Sequence, residues 1–171
     1  MQKDTILVPV DFTGCAYEVV ASAADLAGRL GSDVVLLYVV KMPAGLSPDT
    51  MIHPHGSEGA VKAIQYLDED ARQHLEPFVR IFQDAGCAVS IALEHGDVTE
   101  AILNACTRVG SSMIIMGTHG RKGLRRLVEG SVAESVIRRA NCPVLTVRTL
   151  EPETHPGLSE AQQQALSESA G

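Results

Sequence analysis

Residues 113–131 read MIIMGTHGRKGLRRLVEGS and carry the clearest structural signal in this chain. A four-residue apolar run is followed by Gly117 and Gly120, then by four basic residues, and then by the pair Gly130 and Ser131. A short apolar run that ends at glycines is typical of a buried strand. The stretch therefore predicts a strand, a glycine loop and a helix start, where backbone N–H groups can bind a polyphosphate.

The same alternation of apolar runs and helical patterns extends through the rest of the chain. Apolar runs predict five strands, at Thr5–Val10 and at residues 34–40, 87–93, 112–116 and 143–147. Strands that are apolar on both faces and separated by helices predict an α/β fold, in which helices cover both faces of a parallel sheet.

Four helices are expected between these strands. Apolar residues at helical spacing predict helices over residues 16–30, 61–82 and 131–139, the first ending at Gly31. The second is expected to kink at Pro77 and to stop at Gly86. The remaining helix begins at Asp97, where Glu100 completes a capping box.

Two segments lie outside this pattern. Residues 42–59 contain three prolines and predict a long loop. Residues 150–171 are polar and acidic, and we interpret them as a tail, partly helical or disordered, that follows a single domain at residues 1–149. The roles of both segments are left open by the sequence.

Charge is unevenly distributed along this acidic chain, whose net charge is −7. Residues 117–148 hold seven of the fourteen Lys and Arg residues but only two acidic ones. A local cationic patch on an acidic protein suits a small anion better than nucleic acid, and aromatic residues for base stacking are few.

Location is inferred from what the sequence lacks. No apolar run reaches membrane-spanning length, and the N-terminus does not read as a signal peptide. The four cysteines show no CxxC spacing and read as buried thiols of a reducing compartment. We therefore expect a cytoplasmic protein with no membrane partner.

A ligand site is expected where the strand order reverses, outside the carboxyl ends of the strands. If the first and fourth strands are neighbours, Asp11 faces the glycine loop. Its carboxylate could accept a hydrogen bond from a ribose hydroxyl or help to hold a divalent cation, while His119 and Arg121 could contact phosphates. Val39, at the end of the second strand, could form an apolar wall for a base.

Structural explanations compete with this interpretation. Ser131 could simply begin a capping box with Glu134, the glycines could only form a turn, and Asp11 could cap the first helix or face water. His53 and His55 lie in the proline-rich loop without a metal-ligand pattern, and His95 could be structural or could line the same cleft.

The chain resembles the universal stress proteins of the UspA type. The resemblance covers residues 3–148 and rests on the segment ILVPVD at residues 6–11, on LLYV at 36–39, on Gly96 and Asp97, and on the block from residue 116 to 147. The ATP-binding branch of that family carries the pattern G-x2-G-x9-G-[ST]. Gly117, Gly120, Gly130 and Ser131 match it in full.

The resemblance implies a five-stranded parallel sheet of order 3-2-1-4-5, Rossmann-like, and a regulatory role in the stress response. It also implies ATP, ADP or AMP, with Mg²⁺ or Mn²⁺ bridging the phosphates. A homodimer would pair the fifth strands near Leu145 and Val147, and the signalling partner is unknown. By similarity, the nucleotide would lie among Pro9, Val10, Asp11, Val39, Met116, Gly117, His119, Gly120, Arg121, Gly130, Ser131 and Val132.

Two alternatives remain open at this stage. Part of the family does not bind ATP, so the chain could be a nucleotide-independent dimeric interaction module. Some members hydrolyse ATP slowly or phosphorylate themselves, so a weak ATP hydrolase or adenylyl-transfer enzyme is the other. The sequence offers no catalytic group to decide between binding and catalysis.

Overall fold

The computed structural model describes residues 3–54, 59–118 and 132–149. Within them, strands and helices alternate along the chain. Their bounds, in order, are β1 Thr5–Val10, α1 Ala16–Leu30, β2 Asp33–Val40, β3 Met51–Ile52, β4 Val61–Lys62, α2 Ala63–Asp84, β5 Val89–His95, α3 Val98–Val109, β6 Met113–Gly117, α4 Val132–Arg139 and β7 Val144–Val147.

The five long strands form one parallel sheet in the order β5-β2-β1-β6-β7. Counted among the long strands alone, this is the order 3-2-1-4-5 that the family resemblance implies. The α/β fold is therefore confirmed. β1 is the central strand and pairs with β2 on one side and with β6 on the other.

Alternate residues of the strands are buried on opposite faces of the sheet. Ile6, Val8, Leu36 and Ile115 belong to a core built with α1 and α2, including Phe82. The neighbouring positions belong to a second core built with α3 and α4: Leu7, Leu37 and Ile114 from the strands, with Ile102 and Val136 from the helices. The apolar runs of the central strands β2, β1 and β6 arise because these strands are covered on both faces.

The predicted helix ends at Gly31 and Asp97 are confirmed. Gly31 has a left-handed φ of 65°, and its N–H bonds back to the last turn of α1. Asp97 begins α3, because its side-chain Oδ1 accepts a hydrogen bond from the Glu100 N–H at 3.0 Å. A glycine tolerates the left-handed region, and an aspartate satisfies an otherwise unpaired N–H group.

The predicted loop at residues 42–59 is partly wrong. It contains β3, which pairs antiparallel with β4. Val61 was expected to begin a helix but lies in β4, and α2 begins only at Ala63. The reason is a competing set of partners: the Ala63 N–H donates to the Thr50 carbonyl at 2.8 Å, and Lys62 Nζ bonds Asp49 at 2.7 Å.

The third long strand starts later than predicted. β5 begins at Val89 rather than at Cys87, because the Cys87 N–H still bonds back to the carbonyl of Phe82 at 3.0 Å. Gly86, with φ of 77°, makes this exit from α2 possible. The stop at Gly86 is confirmed, and Pro77 lies inside α2, where the kink stays a prediction.

None of the helices in the described ranges has the length and apolar character needed to cross a bilayer.

Gly28 on α1 shows how closely the helices of one layer pack. A Cβ added there would lie 2.9 Å from the backbone carbonyl oxygen of Ala85, at the end of α2. Alanine favours a helix over glycine by about 1 kcal/mol, so an unobstructed substitution would stabilise the protein. We expect Gly28→Ala instead to lower the free energy of unfolding by about 1–3 kcal/mol, measured by urea denaturation, because backbone must move.

Ser22→Ala is the matched control, since Ser22 is exposed on the same helix. It should change the free energy of unfolding by less than about 0.5 kcal/mol. A stabilising Gly28→Ala would show that α1 and α2 do not approach as closely as described.

Candidate functional site

At β1 the sheet switches sides: the strands that follow β1 first are added on one side of it, and the later strands are added on the other. From β1, the sheet extends through β2 to β5 on one side and through β6 to β7 on the other. All five strands are parallel, so the segments that follow β1 and β6 start side by side at the same edge. The expected neighbourhood of the first and fourth long strands is confirmed, and with it the switch point where open α/β sheets bind ligands.

Asp11 is the first residue after β1 and is exposed at this edge. Its Oδ1 accepts hydrogen bonds from the Thr13 N–H at 3.2 Å and from the Thr13 hydroxyl at 2.5 Å. These bonds organise the turn that leads into α1, whose N-cap is Cys15 and not Asp11. The carboxylate is therefore fixed in place at the strand end while it remains accessible to solvent.

Three predicted site residues lie on the same face of the sheet. Met116 belongs to the core beneath α3 and α4. Pro9 pairs in register with Leu37 of that core, and Val39 follows Leu37 by two residues along β2. Since paired residues of parallel strands share a face and side chains alternate, all three lie on the α3 and α4 side. Val39 is buried, and Val132 begins α4 on that side.

Two other predicted residues face the opposite layer. The side chain of Val10 packs against the core beneath α1 and α2. A Cβ added to Gly117 would lie 3.0 Å from Cγ2 of Val19 on α1. A side chain at position 117 would thus crowd Val19 on α1, which explains the glycine there. Because the Val10 side chain packs into the core, only its backbone would be available to a ligand at this edge.

The remaining predicted residues lie outside the described ranges: His119, Gly120, Arg121, Gly130 and Ser131, together with the tail from residue 150. The described ranges end at Thr118 and resume at Val132, on either side of the glycine loop. Thr118 directly follows β6 and donates its N–H to the carbonyl of Val147 at 3.2 Å, and α4 begins at Val132.

Comparison with known proteins agrees with this architecture. The sequence profile of the universal stress protein family matches residues 3–148, which span the whole sheet and its four helices. The chain belongs to the universal stress protein family.

Relatives in this family cover most of the chain. The universal stress protein MJ0531 of Methanocaldococcus jannaschii is 28% identical over 148 residues, which are 86% of this chain and 84% of that protein. A universal stress protein structure from Burkholderia pseudomallei is 28% identical with a TM-score of 0.60, and covers 84% of this chain and 95% of its own. The structure from Archaeoglobus fulgidus, in complex with dAMP, is 26% identical with a TM-score of 0.58, and covers 85% and 98%.

An aromatic group lies beside the candidate site of this universal stress protein and was missed in the sequence. The rings of Phe12 and Tyr38 lie 4.3 Å apart between centroids, and the ring of His74 on α2 lies 5.4 Å from that of Phe12. Phe12 follows Asp11 directly, so the turn after β1 is anchored to α2 by ring contacts. These three residues are separated by 26 and 36 positions, so the sequence does not indicate that their rings are in contact.

His95 has a structural partner. Its Nε2 lies 3.2 Å from Oδ1 of Asp68, which joins the end of β5 to α2. β5 is an outer strand of the sheet, with β2 between it and β1. Of the two interpretations that the sequence left open, this pairing supports the structural one.

A polar groove between α3 and α4 was also missed. It has a volume of about 450 Å³ and is lined by Asp97, Thr99, Glu100, Ser135, Arg138 and Arg139. Arg139 bonds Glu100 at 2.7 Å, and this hydrogen bond raises the pKa of the guanidinium above its usual range. Arg138 is paired with Glu134 at 2.9 Å. Because both cations are already paired, the groove is less suited to a phosphate than a helix start with unpaired N–H groups.

Metal ligands do not cluster in the described part of the chain: no group of three or more His, Cys, Asp or Glu residues there could hold an ion. The role of Asp11 toward a divalent cation stays a prediction.

Proposed function

We propose that this universal stress protein binds an adenine nucleotide, ATP, ADP or AMP, at the switch point and acts as a nucleotide-dependent regulator. One observation carries the proposal. The pairing of β1 with β6 places the exposed Asp11 carboxylate beside the strand that leads into the pattern Gly117, Gly120, Gly130 and Ser131. The relative from Archaeoglobus fulgidus, in complex with dAMP, supports the choice of nucleotide.

The geometry suggests a division of roles along the edge. Pro9, Val39 and Met116 share one face at the strand ends and would border the adenine and ribose. Asp11, held by Thr13, would accept a hydrogen bond from a ribose hydroxyl. Gly120, Gly130 and Ser131 would bind the phosphates through N–H groups at the start of α4, with His119 and Arg121 beside them and Val132 flanking.

A divalent cation, Mg²⁺ or Mn²⁺, would be held mostly by the phosphates and would neutralise their charge. The chain's own contribution is to position the nucleotide. Its described residues supply an acceptor at Asp11 and an apolar face, which are features that bind and orient a nucleotide. We therefore infer occupancy, rather than turnover, as the signal that this protein transmits to a partner still to be identified.

Gly130→Glu tests the phosphate site. A carboxylate there would occupy the space of a phosphate and repel it. At ATP concentrations about a hundredfold above the dissociation constant, with Mg²⁺, we expect the melting temperature of the wild type to rise by roughly 5–10 °C and that of the variant to stay unchanged. Differential scanning fluorimetry measures both.

Ser22→Glu is the matched control, because it adds the same charge at an exposed position of α1. It should keep the full ATP-dependent rise. An equal rise in Gly130→Glu would refute the phosphate assignment. No rise in the wild type, together with no nucleotide released from freshly purified protein in mass spectrometry, would favour the nucleotide-independent interaction module.

Asp11→Asn tests the ribose contact separately. Asparagine keeps an oxygen that can accept from Thr13, so the turn should survive, but the negative charge is lost. A hydrogen bond to a charged acceptor contributes about 1.5–3 kcal/mol and one to a neutral acceptor about 0.5–1.5 kcal/mol, so we expect ATP affinity to fall roughly fivefold to tenfold in isothermal titration calorimetry. Asp25→Asn, which removes an exposed aspartate from α1, should leave affinity unchanged. Equal affinities for Asp11→Asn and wild type would remove Asp11 from the site.

We further propose that the protein is a homodimer formed through β7. This strand is at one edge of the sheet and pairs only with β6 within the described residues. Leu145 on β7 is 42% exposed, so this edge strand presents a large apolar side chain to solvent. Edge-to-edge pairing near Leu145 and Val147 would cover this side chain and satisfy the open backbone groups.

A charge at Leu145 should therefore break the dimer. We expect sedimentation equilibrium to give twice the 18.2 kDa chain mass for the wild type and the single chain mass for Leu145→Asp. Leu30→Asp is the control, because Leu30 is 58% exposed at the end of α1 and not on a strand edge. A monomeric wild type, or a dimeric Leu145→Asp, would contradict this interface.

A further inference from the structure

Two cysteines that lie far apart in the sequence meet in the fold. Cys106 is on α3, and Cys142 is in the connection between α4 and β7. Their Sγ atoms are 3.3 Å apart, within hydrogen-bond distance for two thiols. We call these two residues the thiol pair. Neither the nucleotide site nor the β7 edge uses it.

The two members of the thiol pair differ in exposure. Cys106 is only 6% exposed and lies in the core with Ile102 and Val136. Cys142 is half-buried, between the exposed residues Asn141 and Pro143. A small oxidant can therefore approach the pair from the side of Cys142, while Cys106 is shielded by the core and has its partner sulfur 3.3 Å away.

We propose that the thiol pair is an oxidation site, at which hydrogen peroxide converts Cys106 and Cys142 into an intramolecular disulfide. A disulfide bond is about 2.0 Å long, so the sulfurs must approach by about 1.3 Å from their separation of 3.3 Å. This inference does not rest on the nucleotide proposal. It holds or fails whether or not the protein binds ATP.

The chemistry balances with peroxide as the oxidant. The Cys142 sulfur attacks one peroxide oxygen, the O–O bond breaks, and a sulfenic acid and one water form. The Cys106 sulfur then attacks the Cys142 sulfur, the S–O bond breaks, and a second water leaves with the proton of Cys106. Two thiols and one hydrogen peroxide thus give one disulfide and two waters.

The environment of Cys142 determines the rate of this reaction. Burial, together with the hydrogen bond and the charge of the neighbouring Cys106, raises the pKa of Cys142 to about 11. A raised pKa keeps the thiol protonated at neutral pH, and the thiolate is the nucleophile. Oxidation is therefore slow, on the scale of sustained peroxide exposure rather than of a fast redox enzyme.

The bond would close a loop that contains β6, residues 118–131 and α4, since the two cysteines are 36 positions apart. Linking such a loop restricts the unfolded chain far more than the folded one. We therefore expect oxidation to raise the melting temperature by roughly 5 °C or more.

The experiment uses the full-length protein, first reduced, then freed of reductant and incubated with hydrogen peroxide. Mass spectrometry of the intact chain should show the loss of two hydrogen atoms, and digestion without reduction should give one peptide pair joined through Cys106 and Cys142. The melting temperature should rise and return to its starting value after reduction.

Three variants make the test specific. Cys142→Ser and Cys106→Ala should each lose both the linked peptide and the rise in melting temperature, and either one suffices if the other folds poorly. Cys15→Ser removes a half-buried thiol outside the pair and should keep both. The proposal is overturned if peroxide oxidises Cys15 while the pair stays reduced, if the bridge joins other cysteines or two chains, or if Cys142→Ser keeps the rise.

Discussion

The burial of β1 on both faces, with a paired strand on each side, is the constraint on which the rest of the structure depends. Ile6, Leu7 and Val8 are between 0% and 1% exposed, and the strand bonds β2 and β6 at once. A polar side chain at these positions would destabilise the fold unless it found a hydrogen-bond partner within the core. Two helical layers are required to cover such a strand, and the switch point exists because its two neighbours lead the chain in opposite directions.

Sequence patterns were sufficient for the main sheet because its three central strands, β2, β1 and β6, are largely apolar runs between turn residues. They failed for β3 and β4, which have two residues each and are defined by backbone partners in a loop. They also placed the start of β5 too early. Cys87 is apolar like a strand residue, but its N–H completes the end of α2, and hydrogen bonds of this kind do not show in hydrophobic periodicity.

The candidate site, like the sheet, was predictable from the sequence only in part. The types and order of Asp11, Val39 and Met116 were sufficient to predict that they lie at strand ends. Which of the predicted residues share a face depends on register, and register placed Val10 and Gly117 toward α1 instead. The aromatic contacts of Phe12 and the thiol pair link residues from separate elements. Such contacts follow from three-dimensional packing, for which a single sequence has no local signal.

The hydrogen bond that joins the residue after β6 to the end of β7 has a mechanical consequence. The N–H of Thr118 bonds the carbonyl of Val147 one residue beyond Gly117, at the point where β6 gives way to the glycine segment. The peptide that opens this segment is thus tied to the outermost strand of the sheet. Because this hydrogen bond links the two directly, a displacement of β7 at the edge of the sheet would be transmitted to the peptide at Thr118, where the described part of the chain reaches the glycine loop.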